Sequence, residues 1–86
     1  MVQRGVTVKN PAGFHARPAS QLVSLSKTFK SKIQIEAGDR SCDAKSMLSV
    51  LRCCIKIGET VTITADGEDE TLALEQITSL IDSLEE

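Results

Sequence analysis

The histidine at position 15 is the side chain of this sequence best suited to covalent chemistry. It is the single histidine among 86 residues and lies in the run Gly13-Phe14-His15-Ala16-Arg17-Pro18. Because Pro18 is tolerated in the first turn of a helix but not deeper, the run predicts that a helix starts at or near His15. The amides of a helix start and the forked donors of Arg17 would both stabilise an anion there. A neutral imidazole, the main form at neutral pH, is a nucleophile that can accept a phosphoryl group.

The residues alone leave two interpretations of His15 open. Histidine is a weaker N-cap than serine or aspartate, which favours a phosphate or anion site over a purely structural cap. The alternative is a surface histidine without chemistry, as a lone histidine in a small protein often is. Arg17 and the turn signals of Asn10-Pro11-Ala12-Gly13 favour the phosphate site.

Ser46 is a second candidate, at the start of another apolar helical stretch. It precedes Met47, Leu48 and Leu51, so the simplest interpretation is an N-cap. A phosphate on its hydroxyl would add roughly −1.5 to −2 charges beside these apolar side chains. Such a charge could switch the binding of a partner without refolding the chain. The physics of the sequence favours the cap over the switch.

The three cysteines, Cys42, Cys53 and Cys54, do not match a metal or disulfide pattern. Their number is odd, two are adjacent, and a zinc site would need about four ligands at suitable spacing. We therefore expect no metal site, no disulfide framework, and three small side chains that are buried or half-buried.

Seven elements are predicted to position these residues. Four segments alternate apolar and polar side chains, which is typical of strands that bury one face in an antiparallel sheet. These strands cover Met1–Lys9, Lys32–Glu36, Cys42–Ala44 and Thr60–Ala65, and the predicted helices cover Ala16–Phe29, Ser46–Cys54 and Glu70–Leu84. Gly38-Asp39 predicts a tight hairpin, and Asp69 is expected to cap the last helix. The order indicates an α+β domain with its helices on one side of the sheet.

Length and composition narrow the classes of function. A chain of 86 residues is expected to form one domain over residues 1–86, without room for a separate catalytic domain or a large cofactor. A net charge of −2 argues against general nucleic-acid binding. The N-terminal alternation is unlike a signal peptide, and no segment is long enough to span a membrane. We therefore expect a cytoplasmic protein without a cofactor.

The runs around His15 and Ser46 resemble the signatures of a known family. Gly13-Phe14-His15-Ala16-Arg17-Pro18-Ala19 resembles the active-site motif of HPr, the histidine-containing phosphocarrier of the bacterial sugar phosphotransferase system. Lys45-Ser46-Met47-Leu48 resembles the regulatory serine site of that family. The chain length and the order of strands and helices match as well. The resemblance implies an open-faced β-sandwich, in which a four-stranded antiparallel sheet carries three helices on one face.

The resemblance also implies chemistry and partners. His15 would accept a phosphoryl group on Nδ1 from phosphorylated Enzyme I and pass it to the EIIA domains of sugar permeases, with Arg17 balancing the charge. Ser46 would be phosphorylated from ATP by HPr kinase/phosphorylase, and in some lineages that form binds a catabolite-control transcription factor. The chain would form a phosphohistidine without turnover of its own, so it is not expected to be an enzyme. The implied partner-binding patch consists of Ala16, Ser20, Met47, Leu48 and Leu51.

Four positions depart from the common pattern of that family. Phe14 stands where leucine or isoleucine is usual, and Leu51 where methionine is frequent. Ser49 and Cys54 stand where many relatives have glycine. Because glycine is often used where φ is positive, a cysteine at position 54 predicts local strain and an altered end of the middle helix.

Two functions compete with the carrier. The first is a regulatory binding module of carbon metabolism, in which Ser46 phosphorylation is the main switch and the carrier role is minor. The second is a structural α+β domain with a solvated histidine, in which replacing His15 would change only stability.

Overall fold

The computed structural model describes residues 1–11, 13–14 and 16–84, and the prediction that His15 lies at the helix start falls outside the described residues. Within them, strands and helices follow one another in the predicted order. Their bounds are β1 (Val2–Thr7), α1 (Ala16–Ser26), β2 (Lys32–Ala37), β3 (Arg40–Asp43), α2 (Met47–Arg52), β4 (Thr60–Asp66) and α3 (Glu70–Ser83). None of the helices in the described part of the chain is long and apolar enough to cross a bilayer.

The four strands form one antiparallel sheet in the order β1-β4-β2-β3. Side-chain alternation builds its apolar face: Ile33 and Ile35 on β2 are buried and pair with Ala65 and Ile63 on β4. α3 packs on β1 and β4, α2 packs on β3, and α1 packs on both other helices. The predicted α+β class, a four-stranded antiparallel sheet with three helices on one face, is confirmed.

The first helix is shorter than the predicted range Ala16–Phe29. It ends at Ser26, because the chain then tightens into bonds between residues three apart. Thr28 N–H donates to the Leu25 carbonyl at 3.0 Å, and Phe29 N–H donates to the Ser26 carbonyl at 3.2 Å. Phe29 is nevertheless buried, so the apolar pattern marked a core position beyond the end of the helix.

Asp69 occupies the N-cap position of α3, but its carboxylate does not cap the helix as predicted. It accepts hydrogen bonds from the N–H groups of Lys30 and Ser31, both at 2.9 Å, and from the Ser31 hydroxyl at 2.5 Å. The Ser31 hydroxyl and these amides lower the pKa of Asp69 to about 2. Glu70, the first residue of α3, accepts from the Gly67 N–H at 3.2 Å and so links the helix to the turn before it.

The predicted hairpin between β2 and β3 is confirmed. Ala37 and Arg40 pair across it, with Gly38 and Asp39 as the two loop residues. Gly38 has φ +63°, whereas Asp39 does not adopt a positive φ. Glycine at the first loop position is typical of a type II′ turn, whose twist matches that of the flanking strands.

Candidate functional site

The loop that leads into α1 is held by backbone hydrogen bonds on two sides. The buried Asn10 makes two of the hydrogen bonds. Its backbone carbonyl accepts from the Gly13 N–H at 3.0 Å, and its side-chain Nδ2 donates to the Gly13 carbonyl at 2.6 Å. The N–H of Phe14, whose side chain is buried, donates to the Ile55 carbonyl at 3.0 Å. Gly13 has φ +65°, and a Cβ there would lie 2.3 Å from the Ile55 oxygen and 2.8 Å from Lys56 Cα. Only glycine fits at this close approach, so the backbone just before residue 15 has a fixed position.

α1 begins at Ala16, the residue that follows His15 in the sequence. Pro18 lies in its first turn, as predicted, and is buried, whereas Ala16, Arg17 and Ser20 are exposed. The first N–H groups of a helix have no acceptor within it and carry a partial positive charge. Arg17 adds a full positive charge, and the first turn of α1 contains no acidic residue. This helix start therefore favours an anion.

Ser46 is the N-cap of α2, as predicted. Its backbone is extended, with φ −116° and ψ 114°, and its Oγ accepts from the Ser49 N–H at 3.3 Å. The Ser46 N–H donates to the Asp43 carbonyl at 3.0 Å, and the Asp43 N–H donates to the Ser49 hydroxyl at 3.0 Å. Ser49 thus adds a side-chain tie between β3 and the first turn of α2 that a glycine at this position would lack.

An exposed apolar surface follows Ser46 on α2. Leu48 is 61% exposed and Leu51 is 38% exposed, while Met47 is half-buried against the core. Because α1 and α2 pack against each other, the two helices that carry the predicted partner patch adjoin. Ile57, in the connection after α2, is also exposed. Sequence reasoning missed it, because it lies in a loop without a periodic pattern.

The cysteines are free thiols in three different settings. Cys42 and Cys53 are buried, as expected, but Cys54 is exposed, so its predicted burial is wrong. Burial and the neighbouring Cys53 thiol raise the pKa of Cys42 to about 12. Cys54 has φ +51° and is the one non-glycine residue with positive φ in the part of the chain that the structure describes. The positive φ expected at this position is confirmed, and α2 ends at Arg52 rather than at Cys54.

The comparisons with known proteins agree with this arrangement. A family model described as "PTS HPr component phosphorylation site" matches residues 2–83. The chain belongs to the HPr family. The phosphocarrier protein HPr of Haemophilus influenzae is 39% identical over 99% of this chain and 100% of its own length. A multiphosphoryl transfer protein of Xanthomonas campestris is 35% identical over 91% of this chain, which spans only 9% of that protein.

A solved HPr structure shares the fold closely. The crystal structure of HPr-C-His from Thermoanaerobacter tengcongensis superposes with a TM-score of 0.93 at 32% identity, over 96% of this chain and 93% of that one. The Haemophilus relative is named a phosphocarrier, a name that refers to carriage of a phosphoryl group rather than to catalysis. The HPr fold brings the electropositive start of α1 and the apolar face of α2 to adjoining helices.

Proposed function

We propose that this HPr-family chain is a phosphoryl carrier that accepts phosphate on His15 from Enzyme I and delivers it to EIIA domains. The observation that carries the proposal is the match of the phosphorylation-site family to residues 2–83, with α1 beginning at Ala16. The fixed loop through Phe14 and the exposed Arg17 in the first turn support it.

The chemistry requires one nucleophilic nitrogen and a place for negative charge. The lone pair of neutral His15 Nδ1 attacks the phosphorus of the donor, while the bond from phosphorus to the donor atom breaks and its electron pair stays with the donor. Delivery to the next protein reverses these roles. The α1 start and Arg17 stabilise the phosphoryl oxygens in the carrier state. No cofactor is needed, and the chain undergoes no turnover alone.

Labelling with phosphoenolpyruvate and Enzyme I tests the carrier role. We expect one acid-labile, base-stable phosphate on the wild-type chain and none on His15→Ala. Arg17→Met should slow labelling, whereas Lys9→Met, which removes the same charge at an exposed ion pair with Asp82, should not. Equal labelling of the wild type and His15→Ala, or no label on the wild type, would refute the proposal.

The partner-binding patch is proposed to comprise Ala16, Ser20, Met47, Leu48 and Leu51. Leu48 offers the sharpest test, because it is 61% exposed and contributes little to the core. Leu48→Ser should raise the apparent KM for the chain in Enzyme I labelling without changing its unfolding free energy. Leu72→Ser is the matched control, since Leu72 is 51% exposed on α3. An equal effect of both substitutions would remove Leu48 from the patch.

Ser46 supports a second, regulatory function within the same protein. We propose that HPr kinase/phosphorylase transfers a phosphoryl group from ATP: Ser46 Oγ attacks the γ-phosphorus, the bond to the ADP oxygen breaks, and the hydroxyl proton is lost. The favouring observation is the position of Ser46 at the N-cap, followed by the exposed Leu48. The phosphate would place a dianion at the edge of the patch, which would weaken docking of Enzyme I. We propose that a catabolite-control transcription factor binds the form phosphorylated on Ser46. The proposed location of the protein is the cytoplasm, where thiols stay reduced.

Two substitutions separate the switch from the cap. Ser46→Asp keeps an N-cap acceptor and adds a charge, so it should slow labelling of His15 while leaving stability near that of the wild type. Ser46→Ala removes the acceptor for the Ser49 N–H and should lower the unfolding free energy by about 1 kcal/mol without slowing labelling. Labelling of Ser46→Asp at the wild-type rate would refute the regulatory function alone.

A further inference from the structure

A side-chain cluster behind the active-site loop is not explained by the carrier chemistry itself. Arg40, at the start of β3, directs its guanidinium at the connection between α2 and β4. Its Nη1 donates to the Cys53 carbonyl at 2.6 Å and to the Cys54 carbonyl at 3.3 Å, and its Nε donates to the Ala37 carbonyl at 3.3 Å. Its Nη2 forms an ion pair with Glu59. One side chain thus ties the end of α2 to the start of β4.

Glu59 connects the Arg40 guanidinium to a single peptide group of the backbone. Its Oε1 pairs with Arg40, and its Oε2 accepts from the Lys56 N–H at 2.6 Å. These donors lower the pKa of Glu59, the Lys56 amide most strongly. The Glu59 N–H also donates to the Lys56 carbonyl at 3.2 Å. The carboxylate and the backbone N–H of Glu59 therefore both bind Lys56 and hold the connection between α2 and β4 in a tight turn.

The peptide group that Glu59 holds is the one that meets the active-site loop. The Lys56 N–H and the Ile55 carbonyl belong to the same planar peptide, so fixing one end fixes the direction of the other. The Ile55 carbonyl accepts from the Phe14 N–H at 3.0 Å and lies against Gly13. The residue after Phe14 in the sequence is His15. A continuous path of hydrogen bonds therefore runs from Arg40 to the backbone that precedes the nucleophile.

Cys54, whose φ is positive, lies at this tie. A non-glycine residue in the left-handed region is disfavoured relative to ordinary backbone, and Cys54 has φ +51°. Arg40 accounts for the persistence of that conformation, because it binds the carbonyl of Cys54 and the carbonyl just before it.

We propose that Arg40 and Glu59 are positioning residues for phosphoryl transfer, which orient the Ile55–Lys56 peptide and through it the backbone that carries His15. The inference rests on the proposed carrier function. Neither residue is assigned contact with the phosphoryl group. Their effect is geometric: a nucleophile misplaced by about 1 Å loses on the order of 100-fold in rate.

The chain supplies matched controls for both residues. Lys9 and Asp82 form an exposed ion pair at 2.9 Å between the loop after β1 and α3. Arg40→Met and Lys9→Met each remove one positive charge, and Glu59→Ala and Asp82→Ala each remove one negative charge. A difference in transfer rate within such a matched pair therefore reflects where the residue lies in the molecule and not the change in net charge.

The experiment measures phosphoryl transfer from Enzyme I at a temperature well below the unfolding midpoint of every variant. Arg40→Met and Glu59→Ala should lower the maximal rate about 10- to 100-fold, with little change in the apparent KM for the chain. Lys9→Met and Asp82→Ala should behave like the wild type. Glu59→Gln keeps an oxygen that can accept from the Lys56 N–H, so it should recover much of the rate lost in Glu59→Ala.

Hydrogen exchange gives a second measurement that does not depend on transfer. The Phe14 amide should exchange at least about fivefold faster in Arg40→Met than in Lys9→Met, as expected when one hydrogen bond weakens. Unchanged exchange, a wild-type maximal rate in Arg40→Met, or a change confined to the apparent KM would overturn the inference. Failure of the wild type to take label would overturn the carrier function, and this inference with it. Normal labelling of both wild type and Arg40→Met would overturn the inference alone.

Discussion

Replacing Gly13 with alanine should destabilise the fold through two separable effects. The added Cβ would lie 2.3 Å from the Ile55 oxygen and 2.8 Å from Lys56 Cα, so backbone must shift to admit it. Overpacking of this kind costs about 1–3 kcal/mol. The φ of +65° adds about 1–2 kcal/mol for any residue with a side chain. The unfolding free energy should therefore fall by about 2–5 kcal/mol.

Gly38 provides a control that isolates the close approach. It has nearly the same φ, +63°, but a Cβ built there meets nothing within 4 Å. Gly38→Ala should therefore lose only the conformational part, about 1–2 kcal/mol. The excess loss in Gly13→Ala measures the contact between the loop before α1 and the Ile55–Lys56 peptide.

Urea unfolding followed by circular dichroism is the assay, because a domain of this size is expected to unfold in a two-state transition. Enzyme I labelling below the unfolding midpoint should also fall for Gly13→Ala and not for Gly38→Ala, since only the former displaces the backbone next to His15. Losses of free energy that agree within about 0.5 kcal/mol for the two variants would refute the reasoning.

Three further predictions concern single side chains. Because the folded-state pKa of Asp69 is lowered to about 2, the stability that it contributes is present above about pH 4 and is lost as the pH falls through the folded-state value. The urea midpoint should fall over that interval, and Asp69→Asn should flatten the dependence; an unchanged pH profile would contradict it. Cys54→Gly should leave the unfolding free energy unchanged or raise it by up to about 1 kcal/mol, because φ is +51°; a clear loss in urea unfolding would show that the backbone is unstrained. Ser26 Oγ is buried with no hydrogen-bond partner among the described residues, so Ser26→Ala should raise the unfolding free energy by about 1 kcal/mol, and a loss would indicate a missed partner.

The sequence was sufficient for those features that depend on neighbours along the chain. Alternation of Ile33 and Ile35 with polar residues marked a strand that buries one face, and both side chains are buried. Gly38 marked the hairpin because glycine readily adopts positive φ, and Pro18 marked the first turn of α1 because its ring fixes φ at a value that suits a helix start. Ser46 was identified as an N-cap for the same reason: its acceptor serves an amide three residues away.

The residue pattern around the candidate site was equally informative, because the motif is local. Ala16 and Arg17 are consecutive, and both lie in the first turn of α1, where the motif predicted a helix start. The departure of Cys54 from the glycine of many HPr relatives also predicted a positive φ, and its φ is +51°. Its exposure was not predicted, since a small apolar side chain in a loop has no periodic pattern to indicate a face.

Tertiary structure decided which of several possible partners each polar group takes. Asp69 could cap α3, but its carboxylate binds Ser31, 38 residues away along the chain, and only folding brings that competitor close. In the same way, Arg40 forms an ion pair with Glu59, which lies 19 residues away along the chain, and the Ile55 carbonyl accepts a hydrogen bond from the Phe14 N–H. Periodicity reports which face of an element is apolar, whereas hydrogen bonds between distant segments depend on the distances and angles set by packing. The residues that indicate a phosphate site are neighbours in the sequence, whereas the contacts that hold the preceding loop in place form only in the folded chain.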